Sequence, residues 1–204
     1  MRMELSLSTM ARLTPIGFHY RHDEDDLGTG LEEMMLDAFR GISLIAATIT
    51  MGLVTGAFAL YAHTIMPGLK ATDDRTFVGA FQSIDRAIIN PWFMAGGFVG
   101  ALVFTGVAAA LHLGSGVRSV LPWVTVAFVL YLVAFVITIA VNVPLNDGIK
   151  AAGNPRHIAD LAAVRHRFNE AKWVTWNNVR TAVSLVAFGC LTWALVLYGR
   201  TRGT

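Results

Sequence analysis

The 204-residue chain is 54% hydrophobic and only 15% charged, with a formal net charge of +2 and one cysteine, and its mean hydropathy is +0.54. That balance excludes an ordinary soluble domain, and 16 Lys and Arg dispersed among 14 Asp and Glu exclude a basic nucleic-acid-binding surface. The lone Cys190 falls inside an apolar stretch, so neither an intramolecular disulfide nor a cysteine metal cluster can form.

Residues 1–37 are polar, contain "RHDEDD" and lack the apolar core of a secretory signal, so a disordered tail is expected ahead of a membrane domain at residues 38–204. Met34 and Met35 directly precede "LDAFRG", and the tail reads as dispensable. Asp, Glu, Lys and Arg are absent from residues 41–69, 87–117, 119–146 and 181–199. A helix needs about 20 such residues to cross a hydrocarbon core about 30 Å thick. The windows are continuously apolar rather than alternating, which excludes barrel strands. The expected architecture is all-α, a four-transmembrane-helix bundle with spans at about 41–63, 92–113, 120–142 and 179–199.

Span one carries Thr48, Gly52, Thr55, Ala59 and His63 on one helical face and is followed by Pro67. Between spans one and two an amphipathic helix is predicted. Thr72 is its cap, Asp73 and Asp74 favour its positive end, Pro91 stops it, and Phe77, Phe81, Ile84 and Ile88 share its apolar face. Span three ends with Thr138 and Asn142 on one face, then Pro144 and Asn146 in "VNVPLN". An unpaired asparagine near hydrocarbon costs several kcal/mol. Asn142 therefore either caps carbonyls that Pro144 frees or faces a polar cavity.

Turn signals at Pro144, Gly148 and Gly153 mark the next connection, and Asn154 with Pro155 reads as a helix start. A helix from there to Gly199 would be about 65 Å long at 1.5 Å per residue, a long extension leading into span four that must leave the membrane or bend. Its face carries Asn169, Trp173, Trp176, Asn177, Arg180 and Ser184 at helical spacing. Trp173 and Arg180 suit an interfacial belt, whereas Asn177 and Ser184 suit a hydrogen-bonded site, and both readings stand.

Arg40, Arg118, Arg200 and Arg202 flank one side of the bundle and favour cytoplasmic termini in a bacterial plasma membrane as the expectation, although the opposite loops also carry eight Lys and Arg, so the orientation is weakly determined. His63 and His112 end successive antiparallel spans, on opposite faces, and cannot grip one haem. His63, His157 and His166 share a side without a regular ligand spacing, so no metal site is expected.

In order along the chain, "YAHTIMPGL", "NPWF", "VNVPLN" and "RFNEAKWVTWNNVRT" resemble the anthrone-oxygenase-like family of small integral membrane proteins, over Ala38 to Gly199. The resemblance implies four membrane helices and, by analogy with fungal relatives, oxidation of an anthrone to an anthraquinone with molecular oxygen. The matching positions are His63, Pro67, Asn90, Asn142, Pro144, Asn146, Trp173, Asn177 and Arg180. An anthrone has an acidic methylene whose enolate can react with oxygen directly, so no cofactor is expected. The chain must then supply a base, donors for the oxyanion and a dry aromatic pocket.

On that reading His63 is the base, while Arg180, Asn142 and Asn177 hold the oxyanion. Trp173 and Trp176 wall a planar substrate, Asn146 orients His63, and Asn90 completes the substrate site. The implied partners are a small lipophilic substrate and the bilayer. The competing reading is a non-catalytic membrane protein whose polar stripe cements helices or binds a partner or small lipophilic ligand. A carrier is disfavoured, because no ionisable Asp, Glu, Lys or Arg lies within the four windows.

Overall fold

The structure, a computed structural model, describes residues 17–114 and 118–202, and no strand occurs among them. Helix α1 covers Gly17–Leu60, passes through a π-helical turn at Tyr61–Ile65 and ends as Met66–Lys70. Helix α2 is Asp74–Ile88. Helix α3 starts at Pro91–Phe93, widens into a π-turn at Met94–Phe98 and continues as Val99–Leu111. Helix α4 is Leu121–Ile137, a π-turn at Thr138–Asn142, then Val143–Ala151. Helices α5 (Leu161–Phe168) and α6 (Glu170–Arg202) complete the described elements. Four of these stretches are long and apolar enough to cross a membrane, so the chain is a helical integral membrane protein.

Residues Met1–Ala38 and Phe39–Thr204 form separate compact units. The first is helical from Gly17, inside the stretch expected to be disordered; residues 1–16 of the predicted tail lie outside the described residues. The second unit contains two hydrophobic clusters. One runs through the spans and is built from small and β-branched side chains such as Ala47, Val54, Ala101, Val124, Ala127, Ala187 and Ala194. The other is aromatic, with Tyr61, Phe77, Phe81, Phe168 and Trp173 at its centre, and it binds α2 and α5 as a cap over one end of the bundle.

Polar side chains lock the cap in place. Arg165 donates to the carbonyls of Lys70 (3.1 Å) and Thr72 (3.0 Å), pairs with Asp74 and Glu170, and stacks 4.2 Å over Phe77. Gln82, buried, donates to the Ile149 and Gly153 carbonyls and ties α2 to the end of α4.

Several sequence-based boundaries are corrected. Asp73, not Thr72, caps α2, accepting from the Arg75 and Thr76 amides, while Thr72 donates to the Leu69 carbonyl and closes α1. Hydrogen bonding from the Thr76 hydroxyl, then from the backbone, holds the Asp73 carboxyl below its usual range. Pro144 and Gly148 do not end span three, because the π-turn before Pro144 absorbs its missing N–H and the helix continues to Ala151. The chain turns instead at Gly153, whose φ is +86°. The continuous helix expected from Asn154 is absent: α5 starts after Asp160, which accepts from the Ala163 amide. Asn169, at φ +54°, breaks α5 from α6 and its side chain recaps α6 through the Lys172 amide.

Candidate functional site

The π-turns of three spans face one cleft of about 200 Å³ at the cap end of the bundle. Tyr61 comes from the π-turn of α1, Met94 and Phe98 from that of α3, and Thr138 and Ile139 from that of α4. The wider π-turn rotates neighbouring side chains relative to a regular helix, and such turns recur at functional sites. Helix α2 adds Asp85 and Ile88, α4 adds Asn146, Asp147 and Lys150, and α6 adds Trp173 and Arg180. Apolar rings and aliphatic chains make up most of this wall.

Arg180 is the most unusual group in it, only 5% exposed. Its Nε and Nη2 donate to Asn177 Oδ1 at 3.1 and 2.9 Å, and its Nη1 donates to Thr138 Oγ1 at 3.1 Å. The guanidinium carbon lies 4.2 Å from the Phe58 ring and 5.3 Å from the Trp173 ring. Every hydrogen-bond acceptor it uses is neutral, and no carboxylate among the described residues forms an ion pair with it. Burying a charge without a counter-ion is costly. These bonds use three of the five N–H donors of the guanidinium.

A second polar group lies along the same wall. Trp173 Nε1 donates to Asn146 Oδ1 (2.7 Å), and Asn146 Nδ2 donates to Asp85 Oδ1 (2.6 Å). Asp85 Oδ2 pairs with Lys150 Nζ at 2.7 Å, and Lys150 reaches Asp147 at 3.1 Å. Tyr61 packs its ring 5.5 Å from Trp173 and is nearly buried, yet its hydroxyl makes no hydrogen bond to the described residues. The titratable side chains that line the cleft with Arg180 are thus Asp85, the Tyr61 hydroxyl, Asp147 and Lys150.

The residues expected from sequence separate into three groups. Trp173, Asn146 and Arg180 line the cleft. Asn177 and Asn142 are fully buried but act on other residues: Asn177 fixes the guanidinium and donates to the Phe58 carbonyl (3.2 Å), and Asn142 donates to the Trp173 carbonyl (3.3 Å). His63, Trp176 and Asn90 stay outside. His63 is exposed two residues on from Tyr61, and its Nδ1 meets only the neighbouring Thr64 hydroxyl, so the assignment of the base to His63 is corrected, and with it the idea that Asn146 orients that ring. Trp176 points away from the buried face on which Trp173, Asn177 and Arg180 lie. Asn90 caps α3 through the Phe93 amide and also donates to the Ala87 carbonyl.

Sequence reading missed Asp85, Lys150, Tyr61 and Phe58. The signal for Asp85 was present: Phe77, Phe81, Asp85 and Ile88 recur at four, four and three, so a carboxylate sits in the apolar stripe of an amphipathic helix. Among the described residues no three His, Cys, Asp or Glu side chains are grouped as metal ligands.

A protein-family model described as Anthrone oxygenase matches residues 91–190. The match contains the "NPWF" turn from Pro91, "VNVPLN", Lys150, Trp173 and Arg180, and leaves Tyr61 and Asp85 outside it. No curated protein and no solved structure matches the chain.

Proposed function

Starting from a chain that is anthrone-oxygenase-like over residues 91–190, we propose that it is a membrane-embedded oxygenase that oxidises an acidic methylene between aromatic rings to a ketone with O₂. The observation that supports this reading is the buried guanidinium of Arg180, hydrogen-bonded only to neutral acceptors in an aromatic cleft. It suits an enolate better than the neutral ketone from which the enolate forms, which is the differential stabilisation that lowers a barrier.

Asp85 takes the methylene proton, and the electrons of the broken C–H bond pass into the enolate, whose oxygen is held by Arg180 with the Tyr61 hydroxyl as a second donor. The enolate delivers electrons to O₂, a C–O bond forms, and the peroxide takes up the proton held by Asp85. Removal of the second methylene proton with cleavage of the O–O bond leaves the ketone and, after protonation, water. One O₂ is consumed per ketone, and protons balance within the cleft. Trp173, Phe58 and Phe98 clamp the ring plane, and the lipophilic surroundings keep water from competing.

No cofactor is required by this chemistry. The test is oxygen uptake by the purified chain in lipid nanodiscs supplied with anthrone, with quinone absorbance followed in parallel. The expected result is equal amounts of O₂ lost and quinone formed, at a rate abolished in Arg180→Met. Uptake no faster than in empty nanodiscs would refute the reading. The alternative, a non-catalytic stripe, draws support from Asn177 and Asn142, whose amides pin α6 to α1 and α4.

A further inference from the structure

The cleft wall contains two residues that a closed pocket would hide. Ile139 is 51% exposed and Ile89 57% exposed, yet both line the cleft, so its mouth lies where they meet the surroundings. Ile139 is also the last member of an exposed aliphatic stripe on α4 that starts with Val126, Val129, Val133 and Val136. That stripe has the composition and spacing of a lipid-facing helix surface. The opposite edge of the mouth is charged: the Asp147 side chain is 63% exposed and joins Lys150.

Helix length assigns the two edges to different media. At 1.5 Å per residue, Ile139 lies about 27 Å along α4 from Leu121 and Asp147 about 39 Å, against a hydrocarbon core about 30 Å thick. With the core taken to begin at Leu121, the first residue of α4, Ile139 falls inside it and Asp147 beyond it. Trp92, 69% exposed and next to the other lip, has the place of an interfacial anchor. Thr138 turns inward to accept from Arg180 while its neighbour Ile139, more than a quarter-turn round the helix, faces out.

We infer that the cleft loads sideways from the bilayer, through a lip formed by Ile139 and Ile89, and that its ligand is a hydrocarbon-dissolved fused-ring compound with one polar edge, which enters ring-first beneath the water-facing Lys150–Asp147 pair. This deepens the proposed chemistry and rests on it for the identity of the ligand, but not for the route. The same opening serves O₂, which as an apolar gas concentrates in hydrocarbon.

Two measurements on the full chain in bilayers test it. A spin label at Ile139→Cys, in a Cys190→Ala background, should be relaxed by O₂ and not by a water-soluble nickel chelate, and a label at Asp147→Cys should show the reverse. Relaxation of the Ile139 label by nickel would place the mouth in water and overturn the inference whatever the enzyme does. Second, Ile139→Trp narrows the lip, and kcat/KM for anthrone should fall about tenfold, as expected when substrate capture is slowed. An unchanged kcat/KM would likewise overturn it. If the labels behave as expected but wild-type protein consumes no O₂ with anthrone, the chemical reading fails and sideways access stands.

Discussion

Replacing Arg180 by methionine separates catalysis from architecture. The substitution keeps an unbranched stem of similar reach and removes every donor. Three hydrogen bonds disappear, two to Asn177 Oδ1 and one to Thr138 Oγ1. Thr138 still donates to the Ala134 carbonyl, so it is not stranded, whereas Asn177 Oδ1 loses both its partners. An orphaned buried acceptor costs about 1–3 kcal/mol, and loss of the guanidinium above Phe58 and Trp173 removes about 1–2 kcal/mol more. Against this stands release from burying a cation with no counter-ion, a penalty of several kcal/mol. The two sides nearly cancel, and the variant should fold with a Tm within about 5 °C of wild type. Turnover should fall by about 10²–10³, the effect of deleting an oxyanion donor. Paired thermal unfolding in detergent and oxygen-uptake assays read both quantities on one preparation. A variant that loses folded yield while keeping its activity per folded molecule would refute the reasoning and make the stripe structural.

Asp85→Asn keeps the side chain's shape and removes the base, so kcat should drop by at least about 10²-fold; because Lys150 loses its deepest partner, lysine accessibility to a small acylating reagent should rise, read by mass spectrometry. Gly100→Ala would press a methyl group against the Ala95 carbonyl oxygen within the π-turn of α3. The backbone must move, at a cost of about 1–3 kcal/mol, seen as a lowered Tm and a weaker KM for anthrone. Asp73 is held below its usual range by Thr76 and caps α2. Its contribution is full above the unfolded-state pKa and is lost as pH falls through the lower folded value, so amide protection factors at the start of α2, taken relative to intrinsic exchange at each pH, should fall under acid and stay level in Asp73→Asn.

Fold class was legible because hydrocarbon thickness demands long uncharged windows, and these show in any sequence that makes such spans. Span ends were less legible. Pro144 and Gly148 break helices in water, but a π-turn that ends two residues before Pro144 supplies the slack that lets α4 continue. The stripe on α6 was read from period alone, which placed Trp173, Asn177 and Arg180 correctly and Trp176 incorrectly, since adjacent positions 176 and 177 cannot both face the same partner. His63 misled for a related reason. It lies two residues from Tyr61, so a helix that brings Tyr61 to the cleft turns His63 away from it. Asp85 belongs to a long-range arrangement in which its ligands come from α4, 61 and 65 positions on, and no local pattern announces that pairing.

The irregular backbone and the candidate chemistry occupy one place for a physical reason. A regular transmembrane helix satisfies its own amides and presents only side chains. A π-turn adds one residue to a turn and shifts the phase of everything after it. In α4 the π-turn begins with Thr138 on Arg180 and Ile139 facing out, and at its end Asn142 reaches the Trp173 carbonyl. In α3 it leaves Phe98 in the wall, and its carbonyl is taken up by the Tyr131 hydroxyl at 2.7 Å. In α1 it sets Tyr61 against Trp173 just before Pro67. Three spans carry π-turns on the wall of one cleft, and a buried guanidinium that makes no ion pair among the described residues lies in the same wall. A buried charge is costly unless hydrogen bonds and packing hold it, and the proposed enolate is the species that would gain from its presence there.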